Sequence, residues 1–179
     1  DAKSEDSFDF TGTWKARLDK DIATFKPQLI GITCMFTMTH NSFKDVCAHA
    51  AISEIPVAVG GVHVTNDVEY ILDDLPFVKV AFLRESDEAL KVFIRAMRRE
   101  VTPEELRQVI IVDKNVRLRF LEEKMPSAEK LNILPAWDLL DVSNLSRYGA
   151  IGSFHFFKDE GTKFATVLSN RGCRAQCTF

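Results

Sequence analysis

PVAVGG, residues 56–61, is a short apolar run closed by two glycines, and NDVEYILDDL, residues 66–75, follows almost at once. The first segment reads as a buried strand. The second carries Val68, Ile71, Leu72 and Leu75 at helical spacing, with Asn66 as its cap and Glu69 three residues on. A strand that hands over directly to a helix is half of a parallel crossover unit.

The same alternation extends in both directions. Upstream, ARLDKDIATF (16–25) places Leu18, Ile22 and Phe25 on a helix that Pro27 stops, and QLIGITCMF (28–36) is an apolar strand. NSFKDVCAHAAIS (41–53) sets Phe43, Val46, Cys47, Ala50 and Ala51 on one helical face, with Ser42 and Asp45 as a capping pair. Downstream, VKVAFL (78–83) is a third strand. SDEALKVFIRAMRR (86–99) is an amphipathic helix with Ala89, Leu90, Phe93, Ile94 and Met97 inward, acidic at its start and basic at its end. The expected fold is α/β, a doubly wound parallel sheet with right-handed crossovers. Only three such strands precede Arg99, so the sheet is expected to be partial and the chain a fragment.

After Arg99 the texture changes. QVIIVDKNVRLRFLE (108–122) reads as a hairpin turning at Asp-Lys-Asn. EKMPSAEKLNILPAWDLLDVSNL (123–145) is a proline-punctuated connector, and SFHFFKDEGTKFATVLS (153–169) is a second hairpin. The expected organisation is a sheet domain over 1–99, a hairpin and linker over 100–150, and the start of another domain over 151–179.

Composition narrows the function classes. The chain has 179 residues, 46% hydrophobic and 27% charged, a globular balance. A net charge of −3 gives no electrostatic basis for nucleic acid or an anionic membrane as partner. No apolar run approaches a membrane span, and the amino end does not resemble a signal peptide. Cys34 and Cys47 sit in apolar settings and read as small core residues. Their use as free thiols suits a reducing, cytoplasmic location.

Cys173 and Cys177 differ, since they lie in a polar loop behind Gly172, straight after a strand. By residue chemistry alone the pair is either a metal site or two exposed thiols, and zinc with ligands downstream remains open. LSNRGCRAQCTF (168–179), however, resembles the start of the radical S-adenosylmethionine signature, CxxxCxxC after a first barrel strand. KPQLIGITCMFTMTH (26–40), IPVAVGGVHVTND (55–67) and VKVAFLRESDEAL (78–90) resemble the cobalamin-binding domain that precedes the barrel in one branch of that superfamily. This branch includes anaerobic magnesium-porphyrin ester cyclases. The segments occur in the family's order.

The resemblance implies a Rossmann-like (flavodoxin-like) cobalamin domain, a hairpin linker and the first strand of a partial TIM barrel. It implies that Cys173 and Cys177 are two ligands of a [4Fe–4S] cluster whose third cysteine would fall just past Phe179. It further implies that S-adenosyl-L-methionine is cleaved reductively at the open iron. Methyl transfer and radical rearrangement or cyclisation of a small-molecule substrate both remain open, with flavodoxin or ferredoxin as electron donor. The alternative is a cobalamin- or flavin-binding carrier module without radical chemistry. Phe179 lies where the family has an aromatic beside the cluster, or is a loop residue packing on the barrel.

In the front domain, Gly60 and Gly61 are expected to make room for the cobalamin nucleotide tail, or to form a plain turn. Thr33 and Thr37 can bond the same tail or cap the strand. His63 completes the candidate cofactor residues. His40 and His63 face the expected ligand edge, but a structural or solvent role is expected of both, because Asp-x-His-x-x-Gly is absent. His49 and His155 carry no functional expectation. RES at Arg84–Ser86 resembles the family's Gly-Glu strand end, with Arg in place of glycine, which leaves Glu85 as a helix-opening acid.

Overall fold

The computed structural model describes residues 9–114, 116–121, 127–132, 134 and 136–139. The chain divides into two compact units, Asp1–Asn132 and Ile133–Phe179. In the second unit the description reaches only a short 3-10 turn at Trp137–Leu139. Cys173, Cys177, Phe179 and the expected second hairpin with its barrel strand lie outside the described residues.

The first unit is built on one five-stranded sheet in the order β1-β2-β3-β4-β5. Strands β1 (Ile30–Thr33), β2 (Val57–Gly60) and β3 (Val78–Phe82) run parallel. Their connections carry α2 (His40–Ala51) and then the pair α3 (Val62–Asn66) and α4 (Val68–Asp74). Helix α5 (Asp87–Met97) leads to β4 (Val109–Asp113) and β5 (Val116–Phe120), an antiparallel hairpin that joins the sheet alongside β3. The architecture is a mixed, mostly parallel Rossmann-like sheet with flanking helices. Helix α1 (Phe10–Phe25) precedes β1, and a short α6 (Ala128–Leu131) follows the hairpin.

Both faces of the inner strand β2 are covered, which explains its continuous apolar run. On one face Val57, Val59 and Val78 pack with Phe43, Cys47 and Ala50 of α2 and Ile71 and Leu72 of α4. On the other, Ala58, Val80 and Phe82 meet Ala89 and Phe93 of α5, with the Phe82 and Phe93 rings edge to face at 5.3 Å.

Several local expectations are corrected. Helix α1 begins at Phe10, because the Asp9 carboxylate accepts the Gly12 N–H at 2.8 Å; none of its residues is fully buried, and Phe25 is exposed. Ser42 and Asp45 do not cap α2, since the helix starts at His40, two residues before Ser42, directly after a 3-10 turn at Thr37–Thr39. Asn66 ends α3 and does not cap α4. On α5, Leu90, Ile94 and Met97 remain partly exposed, because the contact with the sheet is narrow and centres on Ala89 and Phe93.

Candidate functional site

The carboxyl ends of β1, β2 and β3 carry three loops that are bonded to one another. Thr33 pairs with Gly60 in the register, and Cys34 N–H donates to the Gly60 carbonyl at 2.9 Å. In return the His63 N–H donates to the Cys34 carbonyl at 3.1 Å. The third loop joins through Arg84, whose N–H donates to Thr65 Oγ1 at 2.8 Å. Arg84 takes φ +57°, the left-handed geometry that glycine adopts most readily, at the position where the resemblance set a glycine.

The two glycines play different parts. A methyl on Gly61 would lie 2.4 Å from the Cys34 carbonyl oxygen and 2.7 Å from Thr33 Oγ1, and its φ is +101°. Here the chain's own backbone makes the close approach. A methyl on Gly60 would meet only Phe82 atoms, at 3.6 Å and beyond, an ordinary contact. Thr33 and Thr37 are exposed, and Thr33 Oγ1 reaches the Gly60 carbonyl only at 3.5 Å. Around them Met35, Phe36, Met38 and Val62 expose half or more of their surface, Met38 at 91%. The edge therefore offers hydroxyl groups set in an apolar rim.

His63 is 3% exposed, and both ring nitrogens are engaged: Nδ1 with Thr37 Oγ1 at 3.1 Å and Nε2 with His40 Nδ1 at 3.0 Å. His40 Nε2 in turn meets Asp74 Oδ2 at 3.0 Å, and Lys44 Nζ donates to Asp74 Oδ1 at 2.6 Å. The ammonium of Lys44, and then His40, hold the Asp74 carboxyl below the usual carboxylate range. The sequence reading missed His40, Lys44 and Asp74 as members of this network. Only the packing of α2 beside α3 and α4 in three dimensions joins them. His49 stands apart, bonded to Asp19 at 2.8 Å and edge-on to Trp14, beside a groove of about 600 Å³ between α1 and α2. No set of three metal-ligating side chains occurs among the described residues. Nor is any described helix long and apolar enough to cross a membrane.

With that geometry in place, comparison with known proteins gives the class. Residues 6–94 match the family model described as the B12 binding domain. A curated relative is the uncharacterized methyltransferase PH0819 of Pyrococcus horikoshii, 24% identical, the match covering 89% of this chain and 32% of the relative. Among solved structures the fold resembles the radical S-adenosylmethionine methyltransferase TsrM from Kitasatospora setae, solved with cobalamin and a [4Fe–4S] cluster. That likeness has a TM-score of 0.53 and 14% identity, over 60% of this chain and 22% of that one. The cobalamin-dependent S-adenosylmethionine radical enzyme OxsB, solved with aqua-cobalamin and S-adenosylmethionine, matches with a TM-score of 0.50 and 18% identity, over 64% and 16%. The chain thus spans about a third of the curated relative and less of the solved enzymes.

The edge fits cobalamin as a group held by hydrogen bonds and apolar contact. It does not offer an axial nitrogen from His40 or His63, because each ring is bonded within the protein on both sides.

Proposed function

We propose that this chain is the cobalamin-binding front part of a radical S-adenosylmethionine enzyme. The observation that carries the reading is a coincidence of place. The segment with the B12-binding match ends its three parallel strands at one edge, where exposed hydroxyls and an apolar rim stand together. Open parallel sheets bind their ligands at this edge. Thr33 and Thr37 hydrogen-bond the cofactor, Met35, Phe36 and Met38 pack on it and exclude water, and Gly61 keeps the two loops close enough to do so.

Cobalamin, when bound, supplies a cobalt centre able to carry a methyl group. The methyltransferase names of the curated relative and of TsrM favour methyl transfer over ring closure or rearrangement. Cys173 and Cys177 are proposed as ligands of the [4Fe–4S] cluster, with Phe179 beside it. The proposal includes a small-molecule substrate, an electron donor of the flavodoxin or ferredoxin type and a cytoplasmic location.

Equilibrium dialysis against cyanocobalamin tests the front domain, with saturable binding expected. Iron and sulfide analysis of the anaerobically reconstituted full-length protein tests the rest. Iron is expected in the wild type and lost in Cys173→Ala and Cys177→Ala. Cobalamin bound without iron would leave the carrier-module reading in its place.

A further inference from the structure

The chain Thr37–His63–His40–Asp74 runs from the exposed carboxyl edge of the sheet to the end of α4, every link between 3.0 and 3.1 Å. We propose that Asp74, His40 and His63 are positioning residues acting through Thr37: they form a proton relay whose charge decides whether Thr37 Oγ1 offers the cofactor a lone pair or a proton. The proposal rests on the cobalamin reading above.

Proton counting carries the argument. Asp74 is an acceptor, its carboxyl held low by Lys44 and His40, so His40 donates to it from Nε2. A neutral His40 must then accept at Nδ1, which makes His63 the donor from Nε2. A neutral His63 accepts at Nδ1 from the Thr37 hydroxyl. In this state Thr37 has spent its proton inward and shows only lone pairs to a ligand. Add one proton to either ring and the last link reverses. If His40 takes it, both its nitrogens donate, His63 accepts at Nε2 and donates from Nδ1. If His63 takes it, it donates from both nitrogens. Either way Thr37 now accepts from His63, and its hydroxyl proton is free to point outward.

The surroundings favour a relay over a packed pair of rings. His63 is 3% exposed, so its ring exchanges protons through its partners more readily than with solvent. His40 and His63 meet edge to face at 5.2 Å, which aligns nitrogen with nitrogen. Facing the pair are Asp74 from α4, with Lys44 of α2 bonded to its other oxygen, and the Tyr70 ring from α4 at 5.3 Å from His40. Asp74 favours the protonated relay and Lys44 opposes it. Imidazole is the side chain type whose ordinary charge change lies nearest neutrality. A phosphate in a nucleotide tail can only accept, and the protonated relay is the form that gives it a donor.

The test begins without ligand, on the full chain with 15N-labelled histidine. At alkaline pH the ring shifts should show both His40 and His63 as the Nε2–H tautomer. On acidification the two rings should move together through one shared inflection. Asp74→Asn should lower that inflection, since it removes an opposite charge at hydrogen-bond distance. Rings that titrate independently, or a His63 that stays Nδ1–H at alkaline pH, overturn the relay. Asp74→Asn preserves shape, so the test does not depend on a variant that empties the site.

The second arm measures cyanocobalamin affinity against pH. It should rise roughly tenfold on the acid side of the inflection, as one hydrogen bond to a charged acceptor is gained. Thr37→Val should abolish the step, and by linkage bound cobalamin should move the histidine inflection upward. A step-free affinity, or a step that survives Thr37→Val, overturns the link to the ligand. Absence of any cobalamin binding by the wild type would remove the reading beneath the proposal and the ligand half with it. The histidine spectra need no cobalamin, so that failure is distinguishable from failure of the relay.

Discussion

At Gly61 a single hydrogen atom separates two loops, and substitution there has a calculable consequence. Gly61→Ala would force a methyl to 2.4 Å from the Cys34 carbonyl oxygen at φ +101°. The strain and the displacement together should cost about 2–4 kcal/mol in urea unfolding. Gly60→Ala, with its nearest contact at 3.6 Å, should change stability by less than about 1 kcal/mol. Equal effects would show that Gly61 is not packed as described. Sequence alone presented the two as one pair; the distinction needs the loop from β1, which passes over only one of them. Arg84 shows the opposite case. Its departure from a glycine was legible in RES, and its backbone keeps the left-handed form at φ +57°.

Cys47 makes a second residue-level prediction. Its complete burial, and then the neighbouring Cys34, push the thiol up to about 12. The folded thiol thus holds its proton after an unfolded one has lost it. Stability from this group is whole below the unfolded cysteine range and declines as pH climbs towards 12, by up to about 1.4 kcal/mol per pH unit. Cys47→Ala should flatten that alkaline decline in unfolding curves. In the native wild type Cys47 should resist alkylating reagents that label it once unfolded.

Among the elements, α1 is weakly anchored by burial and relies on specific contacts. None of its residues is fully buried; it is held by Leu18 against the core and by His49, which bonds Asp19 and meets the Trp14 ring at 5.4 Å. His49→Ala should raise amide exchange across Phe10–Phe25 about tenfold, while β1–β3 exchange stays unchanged. Uniform loss of protection would contradict a local tether. The hairpin shows how charge secures an edge. Arg117 of β5 reaches Glu69 at 2.6 Å and Asp73 of α4, and Arg119 also meets Glu69. The guanidiniums of Arg119 and Arg117 hold the Glu69 carboxyl below its usual range. Hydrophobic spacing located most of these elements, since it depends on neighbours in sequence. Their ends were less legible: the Asp9 cap, the Thr37–Thr39 turn and the break after Asn66 depend on individual hydrogen bonds.

For the molecule as a whole, cofactor binding should report as stability, because a ligand that binds only the folded state stabilises it by mass action. At about a hundredfold excess of cyanocobalamin over its dissociation constant, the unfolding free energy should rise by about 2.7 kcal/mol. Urea curves with and without cobalamin measure this, and identical curves would contradict binding to the native sheet. The sheet itself extends further than the strand-and-helix alternation suggested, since β4 continues it antiparallel to β3 and β5 antiparallel to β4. Of the candidate residues, Thr33, Thr37, Gly60, Gly61 and His63 come together at one edge, while Cys173, Cys177 and Phe179 lie outside the described residues. The amino-acid order determined the alternation of strands and helices and the glycine-closed β2 turn, because spacing and composition act over a few residues. Tertiary structure alone decided that His40 meets His63, 23 residues away, and Asp74, 34 residues away. Such contacts depend on how loops and helix ends stack across a folded sheet, and no local pattern in a chain encodes that.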